Sequence, residues 1–212
     1  MESQVRGGTR WRRFAVVMVP SVAATAAIGV ALAQGALAAS FSVSGQSFKV
    51  SADQLVGYDF IQYGSIDAGT DLKGNKTAHP VAVSGFSSAT ITNMCQSVVT
   101  PDVPIFGSVS LELRAGTNAT NPVKATNIYI DIAQLDAENA KFENIDIGVA
   151  AGDKSNKTGI NPGDQANEFG FGQRSSKATF TKVEQTAWAT TAGTFTLSNL
   201  SLKLHKGVKE CY

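Results

Sequence analysis

From Phe41 to Leu204, apolar side chains recur at every second position, and this alternation limits the fold more than any other feature of the chain. It runs through Phe41 and Val43, then Phe48, Val50 and Ala52, then Val81 and Val83. It continues in Val109, Leu111 and Leu113, in Ile128, Ile130 and Ile132, and in Phe195 and Leu197 followed by Leu200, Leu202 and Leu204. A strand turns successive side chains to opposite faces, so such runs bounded by Gly, Ser, Asn and Pro predict half-buried antiparallel strands. Helical stripes are short. The best helix candidate is Gln134 to Phe142, where Leu135 and Phe142 stand seven apart. The expected fold is all-β.

The alternation slips at four places. Ile91 is followed by Met94, Ala125 by Ile128, Phe142 by Ile145 and Leu197 by Leu200, each a step of three residues with an asparagine second-to-last. Asparagine tolerates left-handed backbone better than other side-chain-bearing residues, because its amide can bond its own backbone. Asn93, Asn127, Asn144 and Asn199 are therefore read as structural bends: bulges or corners that insert one residue and keep the apolar side chains on one wall. A curved antiparallel sheet or sandwich uses such bends. A β-solenoid-like coil is the alternative, since the first two Asn intervals, 34 and 17, fit a rung of 17 residues while the third, 55, does not.

The first 38 residues read differently from the rest. Arg6, Arg10, Arg12 and Arg13 precede an uncharged stretch from Phe14 to Phe48, and Ala36-Leu37-Ala38 forms a small-x-small cleavage pattern. These are the parts of a helical secretory signal peptide, residues 1–38, with an uncleaved membrane anchor as the alternative. Arg12-Arg13 also permits a twin-arginine export reading. Residues 39–212 are then a single β domain with a long polar loop near 150–168. That part carries fourteen basic and sixteen acidic residues. So even a balance offers no basic footprint for nucleic acid. Cys95 and Cys211 are the two cysteines, and in an exported chain an even pair predicts one disulfide.

The inventory of reactive groups names no catalytic, cofactor-binding or metal-ligating residues. His79 precedes Pro80 and His205 sits among Lys203, Lys206 and Lys209; neither has a second ligand at metal spacing, and both are expected at the surface. The pentapeptide G-x-S-x-G of a nucleophile elbow does not occur. The loop residues Asp153, Asn156, Asp164 and Glu168 lack the EF-hand spacing and read as solvated. Asp131 and Asp146 alternate with isoleucines and are expected to face water. Phe169 and Phe171, between glycines, are expected to pack in the core or at an edge, with capping a hydrophobic opening or starting a strand as the alternatives, and Trp188 to lie in a turn beside a corner or to anchor at a membrane.

The N-terminal segment from "RWRRFAVVMVPSVAATAAIGVALAQGALAASFSVSGQSFKVSADQL" to "QYGSIDAG" resembles a family of exported actinomycete proteins of unknown function. Some members of that family bear a cholesterol esterase label. The resemblance implies export from a Gram-positive-type cell and brings no catalytic residues with it. The expected function is that of a secreted or envelope-attached, non-catalytic β protein whose partners are an apolar, lipid-like ligand or a membrane surface. An ester hydrolase acting on sterol or lipid esters and a purely structural surface protein are the alternatives.

Overall fold

The computed structural model describes residues 44–155 and 157–212; the expected signal segment, residues 1–38, lies outside them. In chain order the strands are β1 (Phe48–Thr70), β2 (Lys76–Thr92), β3 (Met94–Val103), β4 (Gly107–Ala115) and β5 (Val123–Glu143). They continue with β6 (Asp146–Ala150), β7 (Phe171–Thr191), β8 (Thr194–Thr196) and β9 (Ser201–Lys206). All belong to one antiparallel sheet, ordered β6-β7-β5-β2-β1-β3-β4-β9, with β8 added on β5. The alternative of a parallel-stacked solenoid does not hold. Gln134 to Phe142, the helix candidate, lies within β5. Leu135 and Phe142 both pack on the core there, so their spacing of seven comes from a slip of strand parity between them.

β1 also pairs with β7, from Phe48↔Ala187 to Tyr63↔Gly172, so β1, β2, β5 and β7 close a ring. Phe60 on β1 meets Phe142 on β5, strands not adjacent in that ring, with ring centroids 5.4 Å apart. Phe86 and Phe180 complete the aromatic centre at 5.3 and 6.4 Å from Phe60. Gly57 makes room for this packing, because a Cβ there would overlap the Phe86 ring. The space left among Leu55, Phe86, Ile130, Ile132, Leu135 and Phe180 is about 10 Å³, at the limit for one water. Over the ring, the inner wall is filled by its own side chains.

The bends run in lines across the sheet. Asn93, Asn127, Asn144 and Asn199 have φ of 52°, 46°, 53° and 54°, the left-handed region. Asp59 at 51° and Lys182 at 50° share it without being asparagine. Asn144, Ser176, Asp59, Ser87 and Asn127 face one another across successive strands, each in a gap of the ladder. The Ser87 hydroxyl bonds the Asp59 carboxylate at 2.6 Å, and Asn144 Nδ2 bonds Ser176 Oγ at 3.0 Å. The second line joins Glu138, Lys182, Asp53 and Asn93, then Gly116 and Ser198. Asp53 takes a bond from Asn93 Nδ2 at 3.1 Å and an ion pair from Lys182 at 3.2 Å. The Asn93 amide bonds the Gly116 carbonyl, and the Gly116 amide bonds that of Ser198. Gly116, at φ +65°, has backbone of Ile91 and Val123 where a Cβ would stand.

At these lines the buried stripe steps by three: Ala52 to Leu55, Phe86 to Ala89, Ile91 to Met94, Ala125 to Ile128 and Phe180 to Val183. An extra residue bends a strand and reverses its parity, so each step returns the large side chains to the same wall. The 17-residue interval also has a geometric origin. A line followed from Asn127 through Ser87, Asp59 and Ser176 returns beside β5 at Asn144, one circuit of the ring later.

Candidate functional site

Beyond the ring, the inner wall continues onto the wing made of β3, β4 and β9, where less and less covers it. Val98 on β3 faces Leu111 on β4, which faces Leu204 on β9; Leu113 faces Leu202. Cross-strand partners share a face, so these residues make one apolar shelf. Val98, Leu111 and Leu113 are half-buried, whereas Leu202 and Leu204 are 56% and 71% exposed. At one end of the shelf stands the β3–β4 hairpin tip, with Ile105 98% exposed and Phe106 58% exposed. Ile105 holds φ 72°, a costly conformation for a β-branched residue, and such strain concentrates at functional sites. Exposed Lys206 stands opposite Val109 on the shelf face.

The reverse face of this wing is polar and closed by the C-terminal tail. Cys95 and Cys211 form a disulfide with Cα atoms 5.9 Å apart. The Cys211 amide bonds Ser97 Oγ at 3.0 Å, and the Lys209 amide bonds Ser110 Oγ at 2.8 Å. Beneath the tail, Glu112 meets Arg114 Nε and, at 3.1 Å, Lys209 Nζ. These two hydrogen-bonded cations hold its carboxyl down at about 2. His205 faces the same carboxyl, with Nε2 3.2 Å from Glu112, rather than standing free at the surface. The wing is therefore inverted where the tail crosses it: Ser97, Ser110 and Glu112 on its polar face are covered, while Leu202 and Leu204 on its apolar face are open.

A second cluster lies on the outer face of the ring, where the loop between β6 and β7 covers it. Ile61, Tyr63, Val81 and Val83 form its floor, with Tyr129 and Trp188 packed against them, and Ala151, Ile160 and Ala166 of the loop lie over it. Asp131 is 6% exposed, which corrects the expectation that it faces water: the covering segment comes from twenty and more residues downstream. Burial first, then the charges of Asp67 and Asp164, pushes its carboxyl up to about 7. Asp67 is raised as well, by burial and then by Asp164. Tyr63 donates to Asp164 at 2.6 Å and accepts from the Asn161 amide at 2.8 Å; Tyr129 donates to the Gly159 carbonyl at 3.1 Å. His79 is in β2, stacked on Trp188 of β7 with centroids 3.6 Å apart, so neither residue stands in a turn. The loop is thus only partly solvated. Asp153 and Asp164 point to different partners, Arg174 and Tyr63.

Asp146 is exposed as expected, bonded by Arg174 at 3.0 Å. Phe169 and Phe171, expected in the core or at an edge, are exposed. Phe171 opens β7, and Ile147 of β6 is exposed with it. Among the described residues, no group of three or more His, Cys, Asp or Glu side chains is placed to hold a metal, and no helix is long and apolar enough to cross a membrane. The shelf carried a sequence signal, the Leu200-Leu202-Leu204 stripe; the carboxylate cluster carried none. No curated protein and no solved structure matches the chain. Residues 44–212 match the family of unknown function DUF6230, and the chain belongs to that family.

Proposed function

We propose that this protein is an exported, envelope-associated binding protein that rests its apolar shelf and hairpin tip on a lipid surface. The observation that carries the reading is the inverted wing: Leu202 and Leu204 stay open while Glu112, Ser110 and Ser97 on the opposite face are covered. Monomeric proteins rarely leave a contiguous apolar face uncovered, and lipid is an apolar partner that needs no complementary protein. One further feature favours lipid: Lys206 is exposed on the shelf face opposite Val109, which suits anionic headgroups.

The filled ring favours an apolar contact on the outside of the sheet rather than in a pocket. An environment-sensitive fluorophore on Leu204→Cys tests this in the full chain. With phosphatidylglycerol-containing vesicles its emission shifts to the blue and spin-labelled lipid quenches it, while the same probe on exposed Glu138→Cys stays unchanged. If the Leu204 probe stays in water, or both probes respond alike, the reading fails. Such a result with a stable oligomer would favour a structural surface protein instead.

A further inference from the structure

Three carboxylates meet beneath the loop with little positive charge to balance them. Asp67 on β1 and Asp131 on β5 face each other as a carboxyl pair, and segment 158–166 brings Asp164 over both. Asp131 Oδ1 and Asp67 Oδ2 are buried with no donor from any other group, and the hydroxyls of Ser65 on the same face of β1 and Thr158 in the covering segment are buried without a partner. Tyr63 and Tyr129 face the group from β1 and β5, and burial raises both phenols, so neither supplies charge. From β2 the facing group is His79, the cross-strand partner of Asp67; from β7 the neighbour of Asp131 is Ala189. Like charges in a buried site repel strongly, and an unpaired buried carboxylate costs more than a neutral one.

We propose that segment 158–166 is an acid-closed cover: it docks while the Asp67–Asp131 pair holds a proton, and it loosens when the pair is fully ionised. Asp164 is the moving member, fixed to the ring through Tyr63 and to its own segment through Asn161 Nδ2 at 2.9 Å. Losing the shared proton sets two charges against Asp164 and weakens the contact that holds the segment. The sign follows from linkage. A carboxyl raised in the closed state stabilises that state at acid pH, and the stabilisation is lost as pH rises through its raised value near 7. The device is independent of the lipid-contacting shelf, because it involves none of its residues.

Thr158 is buried, so trypsin cleaves the Lys157–Thr158 bond only when the segment opens. Cleavage of the full chain is followed by mass spectrometry at pH 5.5 and pH 8 and divided by the rate for Asp131→Asn at the same pH, which cancels the protease's own pH dependence. The wild-type ratio should rise roughly thirtyfold between the two, because about one and a half pH units lie between pH 5.5 and the raised value near 7, above which the closed state gains no further penalty. Asp67→Asn should flatten the profile in the same way and serves if Asp131→Asn does not fold. A ratio equal at both pH values, or an Asp67→Asn profile as steep as wild type, overturns the proposal.

Discussion

Asn127 offers a clean test of the bends, because its side chain is exposed and backbone conformation is the main thing a substitution there changes. Its φ is 46°. In left-handed backbone a Cβ approaches the following carbonyl, costing roughly 1–2 kcal/mol for an ordinary residue and more for a β-branched one. Glycine escapes that cost but loses about 0.5–1 kcal/mol of unfolded-state entropy. The expected series is Asn127→Gly within about 0.5 kcal/mol of wild type, Asn127→Ala destabilised by about 1 and Asn127→Val by about 2. Urea unfolding resolves these differences through the midpoint, with the slope unchanged if the denatured chain is unaffected. Lys124→Val, three residues earlier and also exposed, is the control; ordinary strand backbone there favours valine. If Asn127→Val and Asn127→Gly unfold together, left-handed backbone is not what the position requires, and the explanation of the three-residue steps fails with it.

Gly57→Ala should destabilise by about 1–3 kcal/mol, since its methyl group would have to displace the Phe86 ring at the aromatic centre; thermal unfolding at matched concentrations reads this. Replacing Cys95 and Cys211 together by Ser should cost roughly 2–4 kcal/mol, because the bond spans 116 residues; chemical unfolding with and without reductant checks it, and reductant should leave the double variant unchanged.

How much of this was legible in the sequence depends on whether the cause was local. Strand character was legible, because alternation is a property of neighbouring residues. Four of the bends were legible as asparagines, but the underlying signal is the three-residue step. Asp59 escaped notice because the buried residue before its step is Gly57, which has no side chain to mark the stripe. Lys182 escaped because a lysine in left-handed backbone looks like any exposed strand lysine, although the step from Phe180 to Val183 was in plain view. The same slip at Glu138 set Leu135 and Phe142 seven apart and imitated a helix. Ring closure between β1 and β7 joins residues more than a hundred positions apart, and no local pattern encodes it. For the same reason Asp131 and His79 looked exposed: what covers Asp131 arrives from segment 158–166, and what covers His79 is Trp188.

The central claim is that bends hold the apolar side chains on one wall, and that this wall runs out at β9 onto lipid. A nitroxide scan from Leu200 to Lys206 tests both halves together, with collision accessibility to oxygen and to a polar reagent measured on anionic vesicles. The expected profile has a period of two, in which positions 200, 202 and 204 enter the apolar layer while 201 and 203, exposed on the opposite face, remain in contact with the aqueous reagent. A flat profile, or the opposite parity, would contradict it.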